Sequence, residues 1–142
     1  MANTVNQFAI HLERSYPTTP DAIYKLLING AKFGDVTGIP GKGGGTEGAF
    51  FSIFGDFVTG RQIELVPNER ISQAWRMMDW VPGQYSIVRF TFVQEGRHTR
   101  FVVDQAGHPE EFHEHISTNW EGFYFRPFEK YFGEIHVSSA VN

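Results

Sequence analysis

Glu64-Leu65-Val66-Pro67-Asn68-Glu69-Arg70-Ile71-Ser72-Gln73-Ala74-Trp75-Arg76 is the stretch whose reading decides the fold. It reads as strand, tight turn and strand, with Pro67 and Asn68 as the turn residues. Facing residues of an antiparallel pair share one face of the sheet. A two-residue turn would set Arg70 against Leu65 and push a charge into the core. An odd-length loop instead pairs Leu65 with Ile71, Ile63 with Gln73 and Arg61 with Trp75, and it places Asn68 or Glu69 in the left-handed conformation. Ile71, Gln73 and Trp75 then point inward together. An amide among large apolar groups on an inner face suggests a sheet built to enclose something.

Working outward, Gln7 to Arg14 alternates as a half-buried strand, with Phe8, Ile10 and Leu12 on one side. Thr19-Pro20-Asp21 opens a helix, with Thr19 as N-cap and Pro20 at the first helical position. Ile23, Leu26 and Leu27 form its apolar stripe, Gly30 is read as its end, and a second short helix is read near Ala31 to Phe33. Gly38 to Gly48 is a loop by composition. Its Gly43, Gly45 and Gly48 match the spacing of a dinucleotide-binding loop, but a strand follows where that motif needs a helix. Ala49 to Phe54 and Phe57 to Val66 are strands joined by a turn at Gly55-Asp56.

Trp80-Val81-Pro82-Gly83 is a turn region. Gln84 to Glu95 and His98 to Gln105 form a hairpin about Gly96-Arg97, which pairs Phe92 with Phe101, Phe90 with Val103 and Arg89 with Asp104. A long helix runs from about Pro109 to about Tyr131. Phe112, Ile116, Trp120, Phe123, Tyr124, Phe128 and Tyr131 recur along it at helical spacing, and Pro127 is expected to kink it. The tail from Val137 to Asn142 is expected to fray.

These elements specify an α+β architecture: a curved antiparallel sheet of about six strands wrapped around the long C-terminal helix, with one or two short helices after the first strand. The 142 residues fit a single domain, with its core between about residues 7 and 133. The chain has no cysteine, so disulfide and thiolate chemistry are excluded, and the cytoplasm is the expected compartment. Met1-Ala2-Asn3-Thr4 shows no basic stretch followed by an apolar run. No apolar run approaches the ~18 residues of a membrane span. A net charge of −4 argues against nucleic acid as a partner.

The order and spacing of these motifs resemble the helix-grip fold of the START/SRPBCC superfamily, which includes the birch pollen allergen. Within it they resemble the subgroup related to the activator of the ninety-kilodalton heat-shock protein ATPase. The matching residues are Gly60 with Glu64-Leu65-Val66-Pro67, Arg70-Ile71 with Gln73 and Trp75-Arg76, and Trp80 to Ser86. They continue with Thr99 to Gln105, Gly107-His108-Pro109-Glu110, and Trp120 with Tyr124 and Pro127. Asn119 and Asn68 depart from the pattern, standing where the family commonly has glycine. The resemblance implies a cavity between sheet and helix for a small hydrophobic or aromatic molecule. It also implies two alternatives, an enzyme of cyclase or hydrolase type using that cavity and a chaperone-associated interaction module. No cofactor is implied.

The residues placed to line such a cavity are Gln73, Trp75, Phe90, Phe92, Phe101, Gln105, Trp120, Tyr124 and Phe128. The aromatics among them serve equally well as a filled core. Gln73 and Gln105 would orient a polar group of a ligand, or else bond the backbone or water. His108, Glu111, His113 and His115 gather at the start of the last helix, but the spacing is not that of a zinc helix. An exposed acidic first turn explains them, so no metal site is assigned. There is no Gly-x-Ser-x-Gly elbow and no cysteine nucleophile. Arg76 has opposite parity to Trp75, faces outward, and has Asp79 near it as a candidate ion-pair partner.

Overall fold

The structure is a computed structural model that describes residues 9–133. Its seven antiparallel strands are ordered β1-β7-β6-β5-β4-β3-β2. They are β1 (Ile10–Tyr16), β2 (Lys42–Gly43), β3 (Phe50–Ile53), β4 (Val58–Val66), β5 (Arg70–Met77), β6 (Ser86–Glu95) and β7 (His98–Ala106). Two short helices, α1 (Pro20–Leu27) and α2 (Gly30–Thr37), follow β1. The C-terminal helix starts as a 3₁₀ turn (Glu110–Phe112) and continues through α3 (His113–Asn119), a π-helical turn (Trp120–Phe125) and α4 (Arg126–Phe132). Gln7 and Phe8 of the first expected strand, and the tail from Val137, lie outside the described residues.

The expected helix-grip architecture is present. The strand beyond the expected six is β2, a two-residue segment inside the glycine-rich loop that pairs Lys42 with Ser52 and Gly43 with Phe51. Composition hid it because glycines mark loops and bridges alike. Helix α1 starts as its sequence indicates, with the Thr19 side chain accepting the Ala22 N–H and Pro20 inside the first turn. Its end differs from expectation. The cap falls at Ile28, while Gly30 is the first residue of α2, whose N-cap Asn29 accepts the Lys32 N–H at 3.0 Å. Gly30 is there for closeness rather than termination, since a Cβ on it would lie 2.3 Å from the Lys42 carbonyl carbon.

The two long hairpins came out differently. In β6–β7, Phe92 faces Phe101, Phe90 faces Val103 and Arg89 faces Asp104, as the sequence predicts. The Asp104 carboxylate nevertheless bonds His11 Nδ1 at 2.5 Å. In β4–β5, the odd loop is present: Val66 pairs with Arg70, Leu65 with Ile71, and Asn68 has φ 64°. Beyond Glu64 the register shifts at a β-bulge, so Gln62, not Ile63, faces Gln73, and Gly60, not Arg61, faces Trp75. The bulge exposes Ile63 and buries Gln62. It also lets Glu64 meet Arg70 and Ser72 on the outer face. Gly60 is required opposite Trp75, because a Cβ there would lie 1.9 Å from the Ala74 carbonyl oxygen.

Pro127 shapes the last helix. It has no N–H to donate and its ring crowds the carbonyl four residues back. The chain answers with a π turn, in which the Arg126 N–H bonds the Glu121 carbonyl, five residues back. Trp120, Tyr124, Phe125 and Phe128 are all buried there, while Phe123 remains 41% exposed. Arg14 of β1 ion-pairs with Glu121 and lies 4.6 Å from the centre of the Phe125 ring. These contacts tie the sheet edge to the π turn.

Candidate functional site

The inner face of the sheet and the C-terminal helix bring all nine candidate residues into one buried cluster. Trp75 stacks on Trp120 at 5.7 Å between ring centres, and Trp120 lies 4.3 Å from Tyr124. Phe101 stacks on Phe90 at 5.4 Å and Phe92 at 5.9 Å, and meets Phe128 at 5.7 Å. These contacts fill the grip. Of two spaces beside these rings, the larger is about 30 Å³, lined by Trp75, Trp120 and Tyr124 together with Phe54, Met77 and Phe123. The smaller is about 10 Å³, lined in part by Gln73, Phe90 and Tyr124. Phe92, Phe101, Gln105 and Phe128 border neither space. A small-molecule pocket needs roughly 300–1,000 Å³, whereas a space of ~10–15 Å³ admits one water.

The two inner amides have different lives. Gln105 is fully engaged: it accepts the Trp120 indole N–H at 2.8 Å and donates to Ser86 Oγ at 3.0 Å. Ser86 in turn donates to the Trp75 carbonyl at 2.9 Å. That chain latches the helix to the sheet. Gln73 donates to Gln62 Oε1 at 3.1 Å, and Gln62 donates to the Gly44 carbonyl at 3.1 Å. The Gln73 Oε1 is buried without a hydrogen-bond partner beside the smaller space. Sequence reasoning missed Gln62 because the bulge that turns it inward leaves no mark on the alternation of β4.

The interior offers little acid–base chemistry. Tyr124 is the one titratable residue lining either space. Burial pushes its phenol well above the usual value, opposed in part by its hydrogen bond with Trp75. It therefore stays protonated and accepts the Trp75 indole N–H at 3.3 Å. His108 Nε2 and His113 Nδ1 are 2.9 Å apart at the start of the C-terminal helix, bordering neither space. Among the described residues no three His, Asp or Glu side chains are grouped to hold a metal ion.

The outer face carries part of the exposed apolar surface, while Phe123 and Tyr131 are exposed on the C-terminal helix. One cross-strand row runs Phe50–Arg61–Ala74–Ile87–Ala106 across β3 to β7. Phe50 is 47% and Ile87 50% exposed. Arg61 sits 5.9 Å from the centre of the Phe50 ring. Arg76 sits 5.9 Å from the Tyr85 ring and donates to the carbonyls of Trp80 at 2.7 Å and Gln84 at 3.2 Å. These carbonyls, rather than Asp79, hold Arg76, and they pin the Trp80–Gln84 turn beside the row. Met78, Val81 and Tyr85 are exposed in the same region. The next row, Glu64–Ser72–Arg89–Asp104–His11, is polar.

A seven-stranded helix-grip domain with a filled grip defines the class. Residues 17–133 match the model of the family described as Activator of Hsp90 ATPase homolog 1-like protein, and the chain belongs to that family. It is 26% identical over 117 residues to the mouse "Activator of 90 kDa heat shock protein ATPase homolog 2", covering 82% of this chain and 35% of that protein. It is 34% identical over 83 residues to an uncharacterized fission-yeast protein, covering 58% of this chain and 25% of that one. The chain thus spans about a third or less of these relatives. Among solved structures it resembles an HSP90 activator from Plasmodium falciparum, with a TM-score of 0.78, 18% identity, and 85% and 93% of the two chains covered. It also resembles CalU16 from Micromonospora echinospora, with a TM-score of 0.74, 18% identity, and 92% and 79% covered. Both likenesses concern the fold.

Proposed function

We propose that this chain is a chaperone-associated interaction module, which engages a partner of the 90 kDa heat-shock-protein class through the outer face of its sheet. The observation that carries this reading is the contrast between a grip with about 30 Å³ of space and an outer row with Phe50 and Ile87 about half exposed. Phe50 and Ile87 stand at separate points of the row, with Arg61 and Ala74 between them; exposed apolar groups set among polar ones suit a protein contact, and the two arginine–aromatic pairs add the residue types that anchor such contacts. Family membership supplies the class of partner. The chain matches about a third of the relatives named as ATPase activators, and binding is the activity proposed for it.

Isothermal titration of a 90 kDa heat-shock protein with this chain tests the reading. Saturable binding that Ile87→Glu abolishes, with the fold intact, supports it. No binding, or equal binding by Ile87→Glu, overturns it.

One observation favours a second reading. The unpartnered Gln73 Oε1 would accept a hydrogen bond from a small hydrophobic molecule bearing a donor. A thermal-shift screen of apolar alcohols and phenols checks this: a rise in melting temperature that Gln73→Leu removes supports it, and a flat screen rejects it.

A further inference from the structure

The chain carries a net charge of −4, yet its four lysines, Lys25, Lys32, Lys42 and Lys130, are gathered in one place. All four are exposed and line two adjoining open grooves of about 620 and 600 Å³, which share Asn29, Ala31 and Lys32. None of the eight arginines lines either groove. Among the described residues, the carboxylate lining the grooves is that of Asp35. Asp21 pairs with Lys25 at 3.2 Å across one helical turn, with both side chains about half exposed or more, a weak contact that a stronger partner can displace. Ile28 and Val36 give the grooves an apolar floor. Tyr131 is 50% exposed, with Lys32 Nζ 6.0 Å from its ring centre.

We infer that these joined grooves dock an acidic, extended peptide segment of a partner protein. The charge excess favours an anionic occupant, and its sign opposes that of the whole chain, so local attraction must act against a repulsive background. The form of the grooves selects among anions. The lysines are spread from α1, around the start of α2, to β2 on one side and α4 on the other. A compact anion would meet one or two of them, whereas an extended chain can pass all four. A phosphate site would favour the planar fork of arginine, which the grooves lack. An apolar floor with Tyr131 beside it accommodates leucines or aromatics set between the acidic residues. This surface shares no residue with the Phe50–Ile87 row, so the two can be tested apart.

The test is fluorescence anisotropy of a labelled peptide of alternating glutamates and leucines against the full chain, over a range of salt. Expected are saturable binding that weakens as salt rises and a loss of about tenfold in affinity for Lys32→Glu combined with Lys42→Glu. Binding by Ile87→Glu should be unchanged. The lysines are exposed, so the variants should keep the wild-type melting temperature. Absence of binding overturns the proposal, as does binding that ignores the lysine reversals. Stronger lysine-dependent binding to phosphatidylserine vesicles than to the peptide also overturns it, and reassigns the grooves to an anionic membrane surface.

Discussion

On the inner face of the sheet, Trp75, Phe90 and Phe101 are at most 2% exposed; on the outer face of the same strands, Phe50 is 47% and Ile87 50% exposed. Both faces carry large apolar groups, but only the inner ones are covered, by a helix that is itself aromatic. The inner set is therefore already committed to packing, with ring contacts on every side and about 30 Å³ left over. The outer set has area still to bury. A helix-grip fold need not carry its function in the grip, and the difference between the faces is what favours the outer surface in the proposed reading.

Four expected outcomes break or sharpen this contrast. The largest concerns the inner face. Trp120→Ala removes a buried ring that stacks on Trp75 and donates to Gln105. It should cost about 3–5 kcal/mol in urea unfolding. A cost under ~1 kcal/mol would mean that the grip is loose and able to admit a ligand.

Next is the amide pair. Gln62→Leu leaves the Gly44 carbonyl and the Gln73 amide without their partner and should cost about 1–3 kcal/mol. Adding Gln73→Leu should recover part of that loss, because removing both buried polar groups is cheaper than removing one. Non-additivity in a double-mutant cycle measures the coupling.

The third prediction concerns the polar row of the outer face. The Arg70 guanidinium bonds the Glu64 carboxylate at 2.9 and 3.0 Å and holds its pKa at about 2 rather than the ordinary 4.5. A carboxylate with a lowered folded pKa stabilises the fold fully above its unfolded pKa. That stabilisation is lost as pH falls from about 4.5 through about 2. Glu64→Gln should flatten this part of the stability–pH curve. Both side chains are more than a third exposed, so solvent screens the pair and the change should be small, and an unchanged slope would show that the pair contributes nothing measurable. The smallest effect is expected for Ile87→Glu, which should move stability by no more than ~0.5 kcal/mol. A larger loss would mean that the outer row is needed for folding.

Much of this was legible in the sequence, and the gaps have identifiable causes. In β6–β7, alternation and a Gly-X turn specify every pair from Val88–Gln105 to Glu95–His98, and the strand runs on by one more pair, Ile87–Ala106. In β4–β5, the need to keep Arg70 out of the core specified the odd loop and the left-handed Asn68. The bulge at Ile63 was not visible, because it depends on partners distant along the chain. Gln62 gains Gln73 and Gly44, and Glu64 gains Arg70 and Ser72, when one residue is looped out. Pro127 announced a break in the helix but not its form as a π turn. Gln73, Trp75, Phe90, Phe92, Phe101 and Gln105 lie on the inner face of the sheet, and Trp120, Tyr124 and Phe128 on the helix that covers it. Whether the space among them is open or closed depends on side-chain packing, and periodicity carries no such information.

Amide chemical-shift mapping of the labelled chain during titration with a 90 kDa heat-shock protein tests the central claim most directly. The account predicts shifts concentrated at Phe50, Arg61, Ala74, Tyr85 and Ile87, with Phe90, Phe101 and Trp120 little changed. Shifts concentrated on the inner face and the π turn, or none at saturating chaperone, would contradict it.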